Sequence, residues 1–290
     1  MTCDNSANNP VPNFYRASAE DFKKIPGSPI AYWASNHVLE IFSRLSKLSR
    51  VAEVREGLTT GSNNLFMRRW HEVSLKNIAF KIQSSSEVLE SGCRWFSYIK
   101  GGDFRKWSGN YEFVVNWENG GKSMKQFADQ KTGRIRSHNY NGDYAFKTGF
   151  TWSGISSGIF AVRHVPAGFM FDAKGPMGFA KKMSGIYNCE AFLNSKITNH
   201  LIKMLAPTLD FKLGHVLNLP FKSDLSELIN SNTYTNILIS KSDWDSYETS
   251  WDFTTLPLLQ PEYHQPTLRE TCTKLRAHWQ DMTLEMQRLE

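Results

Sequence analysis

"EFVVNWENGG", residues 112–121, is the stretch on which the reading of this chain turns: β-branched and aromatic side chains run straight into an Asn-Gly-Gly close. The first six residues favour an extended strand, and the close supplies the backbone freedom that a turn needs. The same texture spreads outward from about residue 51 to residue 180. Short runs such as "GIFAVRHV" (158–165) alternate with turn stretches such as "YNGD" (140–143) and "FDAKG" (171–175). This predicts an α+β chain built on a twisted, mostly antiparallel, β-rich region with flanking helices. Trp117, Trp152, Phe160 and Phe171 fall in strand-like runs and are expected in the core.

On either side the period changes from two to about 3.6. "SNHVLEIFSRLSKL" (35–48) spaces Val38, Ile41, Phe42, Leu45 and Leu48 as one helix face, with Ser35 as N-cap. "CEAFLNSKITNHLIKMLAP" (189–207) reads as a helix through Phe192, Leu193, Ile197, Leu201 and Leu205, stopped by Pro207, after which "GHVLNLPF" (214–221) is expected to run extended onto the sheet. The last segment places Leu268, Cys272, Leu275, Trp279, Met282, Met286 and Leu289 on a heptad seam, opened by the Thr267/Glu270 capping box. The seam pairs with another helix or docks on its own domain. With no stop signal at its end, it suggests a helix cut in mid-course and a chain that is a fragment. The expected organisation is a disordered polar lead (1–13), a helical entry segment (14–50), the β-rich domain (51–221), a helical and irregular connector (222–265) and a coiled-coil-like helix (266–290).

Lys and Arg number 34 against 28 Asp and Glu, a formal net charge of +6. The terminal helix from Thr267 nets to zero, so the excess positive charge belongs to the preceding domain and favours an anionic partner. Four scattered cysteines give neither a disulfide framework nor a zinc site, and the polar start is unlike a signal peptide, so a cytoplasmic protein is expected. No apolar run approaches the roughly 18 residues of a membrane span, and no membrane partner is expected.

Three clusters mix cations with aromatic and amide groups: "FMRRWHEV" (66–73), "KGGDFRKWSGN" (100–110) and "GRIRSHNYNGDYAF" (133–146). Arginine and lysine neutralise phosphates, asparagine and arginine read base edges, and rings stack on or wedge between bases. The competing reading makes Trp70, Phe104 and Trp107 core anchors and the cations a solvated face. The candidate DNA contacts are Thr59, Thr60, Asn63, Asn64, Arg68, Arg69, Lys100, Arg105, Lys106, Trp107, Arg134, Arg136, His138, Asn139, Tyr140 and Asn141. Arg68 and Arg69 are expected to differ in role, because adjacent strand residues point to opposite faces. His138 to Asn141 are the candidates for base reading. No nucleophile elbow, P-loop or metal-spaced His/Cys group is present, so no catalytic or metal-ligating residue is nominated.

Longer stretches carry a resemblance. "IPGSPIAYWAS" (25–35), "REGLTTGSNNLFMRRWHEV" (55–73), "KGGDFRKWSGN", "NWENGG" (116–121), "RSHNYNGDYAF" (136–146), "TWSGISSGIFAVRHVPAGFMFDAKG" (151–175) and "LNSKITNHLIKMLAPTLDFKLGHVLNLP" (193–220) resemble the target-recognition region of the PglX (BrxX) family. These are the adenine-specific DNA methyltransferases of BREX phage-defence systems, similar in turn to type IIG restriction-modification methyltransferases. The resemblance covers roughly residues 14 to 265. It implies duplex DNA as partner, adenine N6 methylation as the parent reaction and S-adenosylmethionine as the parent's cofactor, with a Gly-Gly tether that lets Lys100, Arg105, Lys106 and Trp107 fit a groove. The family's glycine-rich cofactor turn and its Asn-Pro-Pro-Tyr/Phe tetrapeptide are missing from the sequence; "NNPVP" (8–12) has Val11 where the second proline belongs. The chain alone is therefore expected to bind no cofactor and to be inactive, its partners being the methyltransferase domain or subunit and other phage-defence components. The alternatives are a split methyltransferase subunit active only with a catalytic partner, and a carbohydrate-binding β-module suggested by nine tryptophans.

Overall fold

In a computed structural model describing residues 17–139, 141–156, 158–222 and 227–290, the stretch at 112–121 forms the strand β7 (Phe113–Asn116) and a left-handed turn. Asn119, Gly120 and Gly121 have φ of 51°, 68° and 78° at the head of α5 (Glu118–Lys125). Gly121 lies against the Trp117 ring, 2.4 Å from where a Cβ would stand, so the turn tolerates no side chain there. The strand-then-turn reading of this stretch is what the backbone does.

β7 is antiparallel to β6 (Trp95–Ile99) on one side and to β4 (Met67–Arg69) on the other, with Phe96 opposite Val115 and Arg68 opposite Val114. The other edge of β6 takes two short parallel strands, β5 (Ile78–Ala79) beside Trp95 and Phe96 and β11 (Met170–Phe171) beside Tyr98 and Ile99. β6 is buried along its whole length, which explains its uninterrupted apolar and aromatic sequence. One face of this sheet packs Phe96, Tyr98 and Val115 with Phe66, Trp117 and Met124, while α4 (Ser85–Glu90) contributes Val88.

A second sheet is antiparallel throughout, in the order β10 (Arg163–Val165), β9 (Gly149–Thr151), β12 (Met177–Ala180), β2 (Ala52–Arg55). Ala52 and Val54 point inward with Phe150, Trp152 and Val162, against α2 (Asn36–Arg44), α6 (Ile186–Asn194), α7 (Lys196–Leu205) and α8 (Leu213–Leu217). Ile99, Tyr111, Val165, Phe171 and Phe179 join the two sheets, covered by Trp244 of α9 (Glu227–Asp245). Two small ladders complete the sheets: β1 (Ser46–Lys47) with β13 (Pro220–Phe221), and β3 (Leu58–Thr59) with β8 (His138–Asn139). α1 (Ala19–Phe22) and α3 (Asn63–Phe66) are single turns. The mixed architecture and the mostly antiparallel pairing agree with the sequence reading.

Several local expectations change. α2 begins at the Ser35 cap, whose Oγ accepts from Val38 N, but ends at Arg44, leaving Leu45 exposed. The long helix expected over 189–207 is two helices meeting at Ser195, whose Oγ accepts from Thr198 N at 3.1 Å. Serine stabilises a helix start better than a helix interior. "GHVLNLPF" is not extended throughout: α8 takes its first half and only Pro220–Phe221 pairs as a strand, so that Val216 and Leu219, one helical turn apart, both reach the core. Trp117, Trp152, Phe160 and Phe171 are all buried. Among the described residues no helix is long and apolar enough to cross a membrane.

Candidate nucleic-acid interface

The β3/β8 ladder brings two loops distant in sequence onto one surface, pairing Leu58 with Asn139 and Thr59 with His138. Just beyond it Gly61, at φ +74°, lies on the backbone of Arg136, where a Cβ would stand 2.8 Å from the Arg136 carbonyl carbon. Buried Thr60 donates its hydroxyl to Asn63 Oδ1 at 2.8 Å and so fixes the entry to α3. α3 buries Phe66 and turns Asn63 and Asn64 to solvent. Asn63, Asn64, Arg68 and Arg69 then line one surface recess of about 350 Å³ with Met67 and Phe113.

The two arginines of β4 do differ in their surroundings. Arg68 Nη1 donates to the carbonyls of Asn64 (2.6 Å) and Met67 (2.7 Å), holding the loop that carries the asparagines. Arg69 is 51% exposed and lies 3.6 Å from Glu112 Oε2, a screened pair that leaves its guanidinium accessible. Beyond the ladder, Asp129 Oδ1 accepts from the backbone amides of Lys131 and Thr132 and from the Thr132 hydroxyl, bonds that hold its carboxyl below the usual carboxylate range. This turn presents Arg134 and Arg136 to solvent. Asn141 Nδ2 donates to Glu56 O at 2.7 Å; His138 and Asn139 are half-buried in the ladder. Tyr140 lies outside the described residues.

The cluster at 100–110 is arranged differently. Lys100 Nζ donates to Asp172 Oδ2 at 2.6 Å, and the buried Tyr98 hydroxyl donates to the same oxygen at 2.7 Å. Arg105 donates from Nε to Ser108 O (2.8 Å) and from Nη2 to Ser240 O (3.1 Å), and pairs with Asp243 of α9. Lys106 Nζ and the Trp107 indole N–H both donate to Glu290 Oε1, at 2.7 and 2.8 Å. Trp107 is 4% exposed, and its backbone pairs with β10 through Trp107 N to Val162 O and His164 N to Trp107 O. The segment is a pinned crossing rather than a loose tether, and Phe104 alone of its aromatic residues is exposed.

α10 (Leu268–Leu289) starts at the expected capping box, with Thr267 Oγ1 accepting from Glu270 N and Glu270 Oε2 accepting from Thr267 N. Its seam is divided. Leu275 is buried on its own chain, Met282, Met286 and Leu289 are half-buried, and Leu268, Cys272 and Trp279 are exposed. Trp279, Met282 and Met286 face Ile239 and Tyr247 of the α9 region across a cleft of about 440 Å³.

The chain can be set beside known proteins at this point. It is 48% identical over 261 residues to the adenine-specific methyltransferase PglX of Lacticaseibacillus casei (strain Zhang), a match that covers 89% of this chain and 22% of that protein. It is 37% identical over 252 residues to the adenine-specific methyltransferase BrxX of Escherichia coli O9:H4 (strain HS), covering 85% of this chain and 19% of that protein. The chain is homologous to one segment of PglX and BrxX. This PglX-like segment spans about a fifth of the length of the curated relatives it matches. No family model matches. The type IIL restriction-modification enzyme MmeI, solved in complex with DNA, is similar at a TM-score of 0.47 and 13% identity over 80% of this chain and 32% of that one.

Sequence reasoning missed the acids that hold the basic cluster at 100–110, namely Asp172, Asp243 and Glu290. Each comes from a remote segment, so spacing carried no signal. It also missed a buried charged group in "FAVRHV". His164 Nδ1 lies 2.8 Å from Glu190 Oε1, and burial pushes the Glu190 carboxyl up, opposed by His164. Arg163 beside it is 2% exposed. A cation inside an apolar strand-like run was the available signal.

Proposed function

We propose that this chain supplies sequence-specific recognition of duplex DNA for an adenine-N6 methyltransferase of a BREX phage-defence or restriction-modification system. The observation that carries the reading is the convergence of Asn63, Asn64 and Arg69 with the Thr59–His138 ladder and with exposed Arg134 and Arg136, in a segment homologous to adenine-specific methyltransferases. Asparagine amides suit adenine edges, and guanidinium groups suit phosphate or guanine. In this reading Thr59, Asn63, Asn64, Arg69, Arg134, Arg136, His138, Asn139 and Asn141 face the duplex, while Thr60 and Arg68 shape the loop. Lys100, Arg105, Lys106 and Trp107 support the platform from within. S-adenosylmethionine and methyl transfer belong to the catalytic partner, which this segment directs to its site.

Binding of the purified chain to labelled duplex across a salt series tests this, with single-stranded DNA and an acidic polysaccharide as competitors. A steep fall of affinity with salt and a preference for duplex are expected. A folded chain that ignores duplex at low salt, or that prefers the polysaccharide, overturns the reading.

A further inference from the structure

Arg163 is a fully buried cation in β10, yet neither its Nε nor its Nη2 has a hydrogen-bond partner among the described residues. Buried guanidinium groups are kept where they are paired and hydrogen-bonded. The nearby buried acid, Glu190, is engaged by His164, the next residue along the strand, through Oε1; its Oε2, like the Arg163 Nε and Nη2, has no hydrogen-bond partner among the described residues. Burial, opposed by Tyr111 and aided by the like charge of Arg105, lowers the Arg163 pKa to about 10, so it stays cationic at neutral pH.

Arg163 lines a pocket with Arg105, Ser153, Ser156, Phe104 and Ile159. The interior volume is about 10 Å³, room for one oxygen-sized atom. Phe104 and Ile159 are more than half exposed, so the pocket is reached from solvent. Ser156 Oγ accepts from Gly158 N and keeps its own hydrogen to donate, whereas Ser153 spends its hydrogen on Gly102 O. Arg105 spends Nε and Nη2 on Ser108, Ser240 and Asp243, which leaves its Nη1 to donate and offsets part of its charge. Among the described residues the unspent donors are therefore the Arg163 guanidinium, the Ser156 hydroxyl and Arg105 Nη1, with the Ser153 oxygen beside them as an acceptor, under the uncompensated charge of Arg163 and the partly compensated charge of Arg105. A ligand that offers acceptors and negative charge satisfies the unpartnered Arg163 donors, with one atom inside and the rest at the mouth.

We propose that Arg163 is the floor of an oxyanion site, in which one oxygen of a phosphoryl group enters between Arg105 and Ser156 and accepts from Arg163 and the Ser156 hydroxyl. The phosphoryl group comes either from free phosphate or from a DNA backbone phosphodiester. Only the second source rests on the function proposed above.

The test is thermal unfolding of the full chain in phosphate and in chloride at matched ionic strength, for the native protein, Ser156→Ala and Arg163→Met. Phosphate is expected to raise the native midpoint beyond its general salting effect, with a reduced rise in Ser156→Ala and none in Arg163→Met. Equal phosphate responses in the native chain and Ser156→Ala overturn the proposal and leave a buried water as the partner of Arg163. Ser156 sits in a loop, so this comparison holds even where Arg163→Met fails to fold. In duplex binding, a salt slope lower by about 1 in Arg163→Met identifies a backbone phosphate as the ligand. An unchanged slope with a lost phosphate response identifies a free oxyanion. A chain that binds no duplex at all leaves the phosphate comparison intact.

Discussion

Residues 100–110 and 133–146 are made of the same ingredients, arginine, glycine, aromatic rings and asparagine, and they end in different physical situations. In the first, Lys100, Arg105 and Lys106 each meet a carboxylate from a remote element, and Trp107 is sealed beneath them. In the second, Arg134 and Arg136 are exposed on a turn whose carboxylate, Asp129, hydrogen-bonds backbone amides and meets Arg136 only through its charge. A basic aromatic sequence is thus neither interface nor scaffold in itself. What decides is whether acids from elsewhere in the fold reach it.

The contrast breaks most readily at Trp107. Trp107→Ala removes a buried ring and its indole bond, and about 3–5 kcal/mol of stability is expected to be lost, read from urea midpoints. A loss below about 1 kcal/mol would show the segment to be loosely held. Arg105→Ala comes next, with about 1–3 kcal/mol expected from three lost hydrogen bonds of a side chain that is 23% exposed. If the Arg105→Ala/Lys106→Ala pair instead leaves stability unchanged and lowers the salt slope of duplex binding by about 2, those cations face DNA and the contrast fails.

A titration sharpens the same comparison, because Glu190 stands behind the β10 ladder that seats Trp107. Its folded pKa lies above the ordinary 4.5, so the folded state retains a proton that the unfolded state has lost. Stability is therefore expected to fall as pH rises from about 4.5 through the raised folded value. Glu190→Gln should remove that part of the slope, and parallel native and variant curves would rule out Glu190 as its source. The smallest stability effect is expected for Arg69→Ala/Arg134→Ala, within about 0.5 kcal/mol, because both side chains are largely exposed and Arg69 keeps only a screened pair with Glu112 and a ring contact with Phe113. The same pair should lower the salt slope of duplex binding by about 2.

Much of the fold was legible because it depends on local chemistry. The strand and turn at 112–121, the Ser35 cap, the Thr267/Glu270 box and the four buried aromatic residues follow from period, side-chain shape and capping preference. The break at Ser195 was missed because continuous apolar spacing outweighed a serine that both ends one helix and caps the next. The α8 turn was missed because "GHVL" is too short for period to separate helix from strand. At the candidate interface, Thr59, Asn63 and Asn64 were nominated as short polar residues near Gly57 and Gly61, and Arg69 as part of the basic and aromatic cluster at 66–73. Their meeting with residues 134–141 was not legible.

The sequence by itself determined most element types, the caps at Ser35 and Thr267 and the excess of positive charge, since these depend on neighbours within a few residues. Only the tertiary structure decided which cations remain available. It pairs Asp172 with Lys100, Asp243 with Arg105 and Glu290 with Lys106, and among the described residues it buries Arg163 without a hydrogen-bonded acid. Charge compensation acts over a few ångströms in space and is indifferent to distance along the chain, so it is settled only when the chain has folded.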